Sequence, residues 1–321
     1  MKEFIYLLVG IDVIISVASW FYFPKWWMRI WDVSHLYLLF FTALLLILVI
    51  WLIPGWLLSK SIIITLLLCI VVLHVIKMIP YTPFYPKEVT YQAPNLESFT
   101  LLSINVLKEN NKYGDFINII NKLNPDIILI IEYTPAWEAY LKLNLHNYPH
   151  QRALARADGF GLALYSKIKL SQAEMIYLVD KETPSIHALI HLPSEVIYFV
   201  GMHPKPPVPW MKNATEAKDV ATVLLADMLQ AQARPALVAG DFNDVSWSTL
   251  MTAFKEASGL RDPRIGRGFY NTYHARKFYI RYPIDHIFLD PRFRLSRFRR
   301  VRLPGSDHFG LFIQLQLIND K

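Results

Sequence analysis

Downstream of residue 98, eight polar side chains share one placement: each closes, follows or opens an apolar run. Asn105 closes Leu101-Leu102-Ser103-Ile104, and Glu132 closes the run Ile127–Ile131. His203 follows residues 198–202, while Asp241 and Asn243 follow Leu237-Val238-Ala239-Gly240. Asp285 precedes Ile287-Phe288-Leu289, and Asp307 and His308 precede residues 309–317. A carboxylate beside a buried strand is costly unless it is paired or bound to a cation. The set is rich in hard oxygen donors, with no thiolate and no histidine pair at zinc spacing. Such donors favour Mg²⁺ or Mn²⁺, with Ca²⁺ admissible, over zinc. His203 and His308 suit proton transfer or hydrogen bonding to an oxyanion. Carboxylates, a hard metal and histidines without a covalent nucleophile point to attack of water on phosphorus.

Other polar residues carry plainer readings. Taken alone, Asn105 would be expected only to satisfy backbone groups at a strand end. Asp244 and Asp262 lie near turns and read as structural, and His150, His187 and His191 have no motif around them. His286 neighbours Asp285, but alternation along a strand turns it to the other face. Lys205-Pro206-Pro207 reads as a loop rim, and Asp158-Gly159-Phe160-Gly161 as a turn before a buried strand.

The elements that must position these groups alternate between strand and helix. Residues 99–106, 127–131, 162–165, 196–200 and 236–239 are strand candidates. Phe116, Ile119, Ile120 and Leu123 recur at helical spacing, and Asn124-Pro125 stops that helix. Asn213 with Glu216 resembles a capping box opening a helix that carries Val220, Val223, Leu224 and Met228 on one side. This alternation predicts α/β layers, and strand ends in such layers can aim side chains into one crevice.

In this order the segments resemble the endonuclease/exonuclease/phosphatase superfamily, the DNase I-like fold. The resembling elements are Ser103-Ile104-Asn105-Val106, Ile130-Ile131-Glu132, Gly201-Met202-His203-Pro204, Gly240-Asp241-Phe242-Asn243-Asp244, Pro283-Ile284-Asp285-His286-Ile287-Phe288 and Gly305-Ser306-Asp307-His308-Phe309-Gly310. The resemblance implies a four-layer sandwich, two β-sheets face to face with helices outside, spanning residues 98–321. It assigns Asn105, Glu132 and Asp307 to the metal site, with Glu132 the direct ligand. Asp241 matches the residue that orients or deprotonates the attacking water, and Asn243 one that binds a phosphoryl oxygen. His203 matches a phosphate-contacting histidine. His308 matches the catalytic histidine, and Asp285 the carboxylate that fixes its tautomer. The proton from water falls to either Asp241 or His308. The hydrophobic N-terminus resembles that of bacterial membrane-bound members.

That N-terminus skews the composition. The 321 residues are 54% hydrophobic and 18% charged, and almost every charge lies after Lys87. Residues 4–23, 36–53 and 61–79 are each about long enough to cross a hydrocarbon core as a helix. Trp20, Trp26, Trp27, Trp31, Trp51 and Trp56 cluster near their ends, as interfacial aromatics do. The first stretch lacks a small-residue cleavage site, which argues against a signal peptide. Asp12 within it is expected to face another helix or the interface. These features predict a multi-pass protein of the cell membrane with the bilayer as its partner. Lys25, Arg29, Lys77 and Lys87 outnumber Lys2 and Lys60, favouring a cytoplasmic domain. Pro80, Pro83, Pro86 and Pro94 predict an extended linker over residues 81–97, crossed by few contacts. Cys69 is the sole cysteine, so no intramolecular disulfide forms.

The net charge of +7 implies an anionic partner, either nucleic acid or lipid headgroup. Arg276, Lys277 and Arg281 stand among Tyr270, Tyr273, Phe278 and Tyr279, a mixture suited to either. Arg292, Arg294, Arg297, Arg299, Arg300 and Arg302 form a denser run, read as a hairpin or edge strand with a solvated face. The expected function is metal-dependent hydrolysis of a membrane lipid phosphoester. Its alternatives are a tethered nuclease on DNA or RNA and a catalytically silent binding module. No protein partner is expected.

Overall fold

The apolar runs assemble into two sheets in a computed structural model that describes residues 2–55, 58–211 and 213–318. Four helices come first: α1 (Lys2–Ala18), α2 (Trp26–Val33), α3 (His35–Leu52) and α4 (Leu58–Met78), the last followed by a 3₁₀ turn at Ile79–Tyr81. One sheet contains β1 (Phe99–Asn105), β2 (Ile127–Ile131), β3 (His150–Leu154), β4 (Leu162–Ser166), β10 (Phe293–Arg302) and β11 (Phe309–Leu317), in the order β10-β11-β1-β2-β4-β3. The second contains β5 (Leu170–Tyr177), β6 (Pro184–His191), β7 (Val196–Met202), β8 (Ala236–Asp241) and β9 (Asp285–Leu289), in sequence order. Helices α5 (Tyr113–Leu123) and α6 (Pro135–Lys142) cover the first sheet, and α7 (Ala214–Gln230) and α8 (Thr249–Ser258) the second.

Strand alternation explains the layers. Leu101, Leu129, Ile131 and Ile313 turn inward and meet Ile186, Phe199, Leu237 and Ile287 of the facing sheet. Their neighbours Leu102, Ile104, Ile128 and Ile130 turn outward against Phe116, Ile120 and Trp137. On the second sheet Val200, Val238 and Phe288 meet Leu225, Leu229, Leu250 and Phe254. All five residues of β2 are buried, because both faces are covered. Asn124, left-handed at φ 48°, ends α5 as expected. The layering is therefore helix, sheet, sheet, helix.

Helix α7 departs from expectation. Asn213 is itself left-handed at φ 58° and makes no side-chain cap, and Glu216 pairs instead with Lys25 at 2.8 Å. Val220, Val223, Leu224 and Met228 form its exposed side. The buried side holds Lys218 and Asp219, which find Asp244 at 2.7 Å and Arg29 at 2.6 Å. Core packing of Leu225, Ala226 and Leu229 and the two ion pairs together fix the orientation of α7, with the expected stripe outward.

At the N-terminus α3 and α4 are long and apolar enough to cross a membrane, with mean hydropathy 2.5 and 2.9. Helix α1 stops at Ala18, short of residue 23, and α2 forms where a loop was expected. Buried Asp12 accepts a hydrogen bond from Thr42 of α3 at 2.9 Å, so it faces another helix. Trp56 lies outside the described residues.

Residues 81–97 run through turns and bends with one isolated bridge at Tyr91, and they are bound along the domain. Leu295 N donates to Thr90 O at 3.0 Å, and Gln92 N to Leu295 O at 3.1 Å. Val89 is buried in the inter-sheet core, and Glu88 accepts from Asp262 N at 2.8 Å and Lys255 Nζ at 2.9 Å. The expected free linker is thus a strap, because an apolar residue between its prolines has a core site to fill. Above it, Trp247 Nε1 donates to Asp32 O at 2.7 Å and Tyr81 Oη to Ser246 O at 2.6 Å.

Candidate active site

Strands β1, β2 and β8 end, and β9 begins, at one edge of the sandwich, and the side chains there meet. Asn105 Nδ2 donates to Glu132 Oε1 at 2.9 Å and to Asp241 Oδ2 at 3.0 Å, so it bridges the two sheets. Its Oδ1 accepts from Leu107 N, and Glu132 Oε2 from Lys108 N at 2.8 Å. Three residues here adopt left-handed backbone without being glycine: Leu107 (φ 64°), Glu132 (φ 63°) and Asn243 (φ 51°). Local strain of this kind survives where surrounding contacts over-determine it, and it clusters at functional sites. Gly240 is required by packing, since a Cβ there would lie 2.0 Å from Met202 O across the parallel pairing of β7 and β8.

His308 Nδ1 is hydrogen-bonded to Asp285 Oδ2 at 2.8 Å, leaving Nε2 facing Asp241 Oδ2 at 3.7 Å. His203 Nε2 approaches the same oxygen at 3.8 Å. The segment carrying His308 is pinned by Ser306, whose Oγ donates to Asn105 O at 2.8 Å and accepts from His308 N at 3.0 Å. Burial alone would lower His308, but the charges of Asp285 and Asp241 and the hydrogen bond to Asp285 outweigh it and push the imidazole up to about 10. Burial and the Asp285 charge raise Asp241, against the pull of both histidines. Asn243 N donates to Asp241 Oδ1 at 3.0 Å, and its Nδ2 donates to Pro204 O at 2.9 Å.

Glu132, His203, Asp241, Asn243, Asp307 and His308 line a cleft of about 460 Å³. Asn105 and Asp285 stand behind this wall as partners of Glu132, Asp241 and His308. The eight predicted side chains are therefore assembled at one site. Asp241, Asp285 and His308 lie close enough to share an ion, but the direct His308–Asp285 bond makes a catalytic pair the better description. Asp307 Oδ1 is buried without a hydrogen-bond partner and lines the same cleft as Glu132, so these two carboxylates are the oxygen donors that would hold a hard cation. Asn105, whose oxygen is engaged by Leu107 N, orients Glu132 in this arrangement.

Residues read as structural hold the site from behind. Asp244 pairs with buried Lys218, and Asp262 with buried Arg264 at 2.8 Å. Arg264 also donates to Asp285 O at 3.1 Å and contacts His286 Nδ1 at 2.6 Å. His286 stacks on Phe288, on the far side of β9 from the cleft. Lys108 and Trp210 line the cleft without any signal in the sequence, and Tyr273 of the basic and aromatic run lines it too. The ring of Tyr273 lies 5.1 Å from that of His308; the basic and aromatic run around it pointed to an anionic partner but not to the histidine it meets.

The model of the Endonuclease/Exonuclease/phosphatase family matches residues 102–308, a span holding all eight side chains. The chain belongs to this family. Its members are metal-dependent phosphoesterases and nucleases, so the chain is placed among hydrolases of phosphoester bonds. The fold is similar to that of D. rerio TDP2 complexed with single strand DNA product, at 19% identity and TM-score 0.56, covering 68% of this chain and 99% of that one. It is also similar to the human Nocturnin catalytic domain with bound sulfate, at 16% identity and TM-score 0.57, covering 69% and 95%. A third likeness is an endonuclease/exonuclease/phosphatase from Beutenbergia cavernae, at 14% identity and TM-score 0.56, covering 68% and 72%. Among curated proteins none matches the sequence.

Proposed function

We propose that the chain is a membrane-anchored, Mg²⁺- or Mn²⁺-dependent phosphoesterase acting on a membrane lipid phosphoester. One observation carries the lipid assignment: the cleft opens beside the N-terminal helices. Met211 on its rim also lines a groove with Pro24, Lys25 and Trp26, and Ile284 of the cleft packs with Val33 and Leu36. Exposed Trp210, Phe278, Tyr279 and Trp27 extend this apolar surround. The anchoring itself is supported by the outward faces of α3 and α4, where Phe40, Leu44, Ile47, Ile62, Val72 and Ile76 are exposed.

Held by Glu132 and Asp307, the cation would neutralise charge on the phosphoryl oxygens and lower the barrier to attack. The protein's own groups divide the remaining work. Asp241, raised by burial and by Asp285, is poised to accept a proton from water. His308, kept protonated by Asp285, donates a hydrogen bond through Nε2 to the developing oxyanion or leaving group. His203 approaches the same carboxylate oxygen from the other side, and Asn243 sets the orientation of Asp241 through its backbone N–H.

A second reading, a nuclease on single-stranded nucleic acid, draws on the similarity to D. rerio TDP2 bound to single strand DNA product. The assembled His308–Asp285 pair and the buried Asp241 with its shifted titration argue against a silent binding module, since perturbed titratable groups gathered in a cleft mark functional sites. The test is hydrolysis by the full chain in detergent micelles across phospholipid, DNA and RNA, with Mg²⁺ or EDTA. The expected result is lipid hydrolysis that EDTA abolishes and Mg²⁺ restores. Full activity in EDTA overturns the metal assignment, and cleavage of DNA or RNA without lipid hydrolysis overturns the lipid assignment.

A further inference from the structure

The arginine run on β10 does not present one charged face. A bulge between Leu295 and Arg297 shifts the register, so that Arg300 pairs opposite Leu311 and Arg302 opposite Phe309, while Arg299 pairs opposite Phe312. Leu311 belongs to the inter-sheet core and Phe312 to the outer core under α5 and α6. Paired residues on neighbouring strands share a face. Arg300 and Arg302 therefore turn to the inner face, toward the edge where the cleft lies, and Arg297 and Arg299 turn outward. Simple alternation from Leu295 would have given the reverse.

The inner pair joins Arg281 around a single ring. The guanidinium carbons of Arg300, Arg302 and Arg281 lie 4.8, 5.3 and 5.4 Å from the centroid of Phe309. Phe309 directly follows Asp307 and His308. Arg300 Nη1 donates to Asn271 O at 2.7 Å and Arg302 Nη1 to Ser306 O at 3.4 Å. Arg281 Nε is buried without a hydrogen-bond partner. Among the described residues none of the three makes an ion pair with a carboxylate; three cations crowd one ring, with the charge of Asp307 acting on Arg302 from a distance. Burial and the Arg281 charge depress Arg300, and burial with the charges of Arg276 and Arg281 depresses Arg302. A bound anion would relieve that repulsion while filling donors left unused.

We propose that Arg281, Arg300 and Arg302 form an anion subsite beside the catalytic cleft that takes a second phosphate of the substrate. The scissile group sits at His308 and Asp241, and the phosphate one linker away on the same headgroup sits over Phe309. This rests on the phosphoesterase reading of the cleft and adds what that reading leaves open, namely a preference for substrates with two phosphates. Arginine suits the task because its planar fork binds phosphate in a bidentate fashion while stacking on an aromatic face.

The experiment uses the full chain in detergent micelles with Mg²⁺, hydrolysing bis(p-nitrophenyl) phosphate, in competition with cardiolipin, which has two phosphates, or phosphatidylglycerol, which has one. Glycerol bisphosphate and glycerol phosphate repeat the comparison free of lipid. Wild type is expected to bind each two-phosphate competitor about tenfold tighter than its one-phosphate partner, the scale of one or two added charge-assisted hydrogen bonds. Arg300→Gln/Arg302→Gln should erase that advantage, and Arg297→Gln/Arg299→Gln on the opposite face should retain it. An advantage confined to cardiolipin makes the ligand a lipid headgroup, and one shared with glycerol bisphosphate makes the phosphate pair sufficient. Equal losses for one- and two-phosphate competitors, or equal effects from both double variants, overturn the subsite in favour of general electrostatics. Weakened competition by single-stranded DNA with cardiolipin and glycerol bisphosphate unaffected overturns it in favour of a nucleic-acid strand. Equilibrium titration with glycerol bisphosphate, read without turnover, separates failure of the subsite from failure of the phosphoesterase reading.

Discussion

The carboxylate of Asp285 reaches no substrate, yet it sets the charge of the group that does. It holds His308 Nδ1 at 2.8 Å and, with Asp241, pushes the imidazole up to about 10. A histidine whose folded value exceeds its unfolded value of about 6.5 contributes stability that is fully present below pH 6.5 and is lost as pH rises through about 10. Asp285→Asn should therefore cost most thermal stability relative to wild type in mildly acidic buffer, with the gap closing toward pH 10, as Tm measured across pH will check. On general acid–base and electrostatic magnitudes, His308→Ala and Asp241→Ala should each lower kcat by about 100-fold or more while leaving circular dichroism unchanged. Near-wild-type turnover in either variant would remove that residue from the mechanism. The eight site residues were legible because each ends or borders an apolar strand, and a buried polar group there needs a reason. The roles inside the set were less legible. Asn105 offers the same atoms on paper as a ligand or as a bridge, and only the position of Asp241 at 3.0 Å shows it bridging.

Among the elements, the strap over residues 81–97 carries the clearest energetic consequence. Val89 is 1% exposed within the inter-sheet core, and Glu88 satisfies Asp262 N and Lys255. Burying such an aliphatic side chain is worth about 2 kcal/mol. A chain beginning at residue 82 should fold with the strap in place, whereas one beginning at residue 96 should be less stable by about 2 kcal/mol or more in urea unfolding. Equal midpoints would show that the strap is a spacer after all. The four prolines predicted an extended linker, but the segment turns at residues 83–84 and 96–97 and lies bound against the domain, and proline content says nothing about whether such a segment has a groove to lie in. The stripe on α7 failed for a related reason. Val220, Val223, Leu224 and Met228 face outward, while Leu225, Ala226 and Leu229 fill the core and Lys218 and Asp219 are buried on the same side because partners from distant segments await them. On β10 a one-residue bulge reversed the faces of the arginines, a tertiary detail that alternation alone cannot supply.

For the whole molecule, the question is what fixes the cleft in relation to the N-terminal helices. Arg29 of α2 reaches across to Asp219 at 2.6 Å and to Asp32 at 3.3 Å, with its side chain 3% exposed. Lys25 pairs with Glu216 nearby. Lys25 and Arg29, two of the cations behind the expected cytoplasmic side, are engaged here in the contact between helices and domain. Removing one partner of a buried pair leaves the other charge uncompensated, at about 3–5 kcal/mol. Arg29→Met should therefore loosen the domain from the helices by stranding Asp219, without touching the cleft. If the docked geometry serves to hold the cleft at the headgroup plane, loosening lowers the effective concentration of a bilayer substrate. The expected outcome is slower hydrolysis of phospholipid in vesicles with bis(p-nitrophenyl) phosphate turnover retained, and faster proteolysis within residues 81–97. Asp219→Asn in the Arg29→Met background removes the stranded charge and should restore part of the stability but not the lipid rate, because the bridge itself is gone. A parallel fall in both activities would show that Arg29 supports the catalytic domain as a whole, and unchanged lipid turnover would show that the anchor needs no fixed orientation.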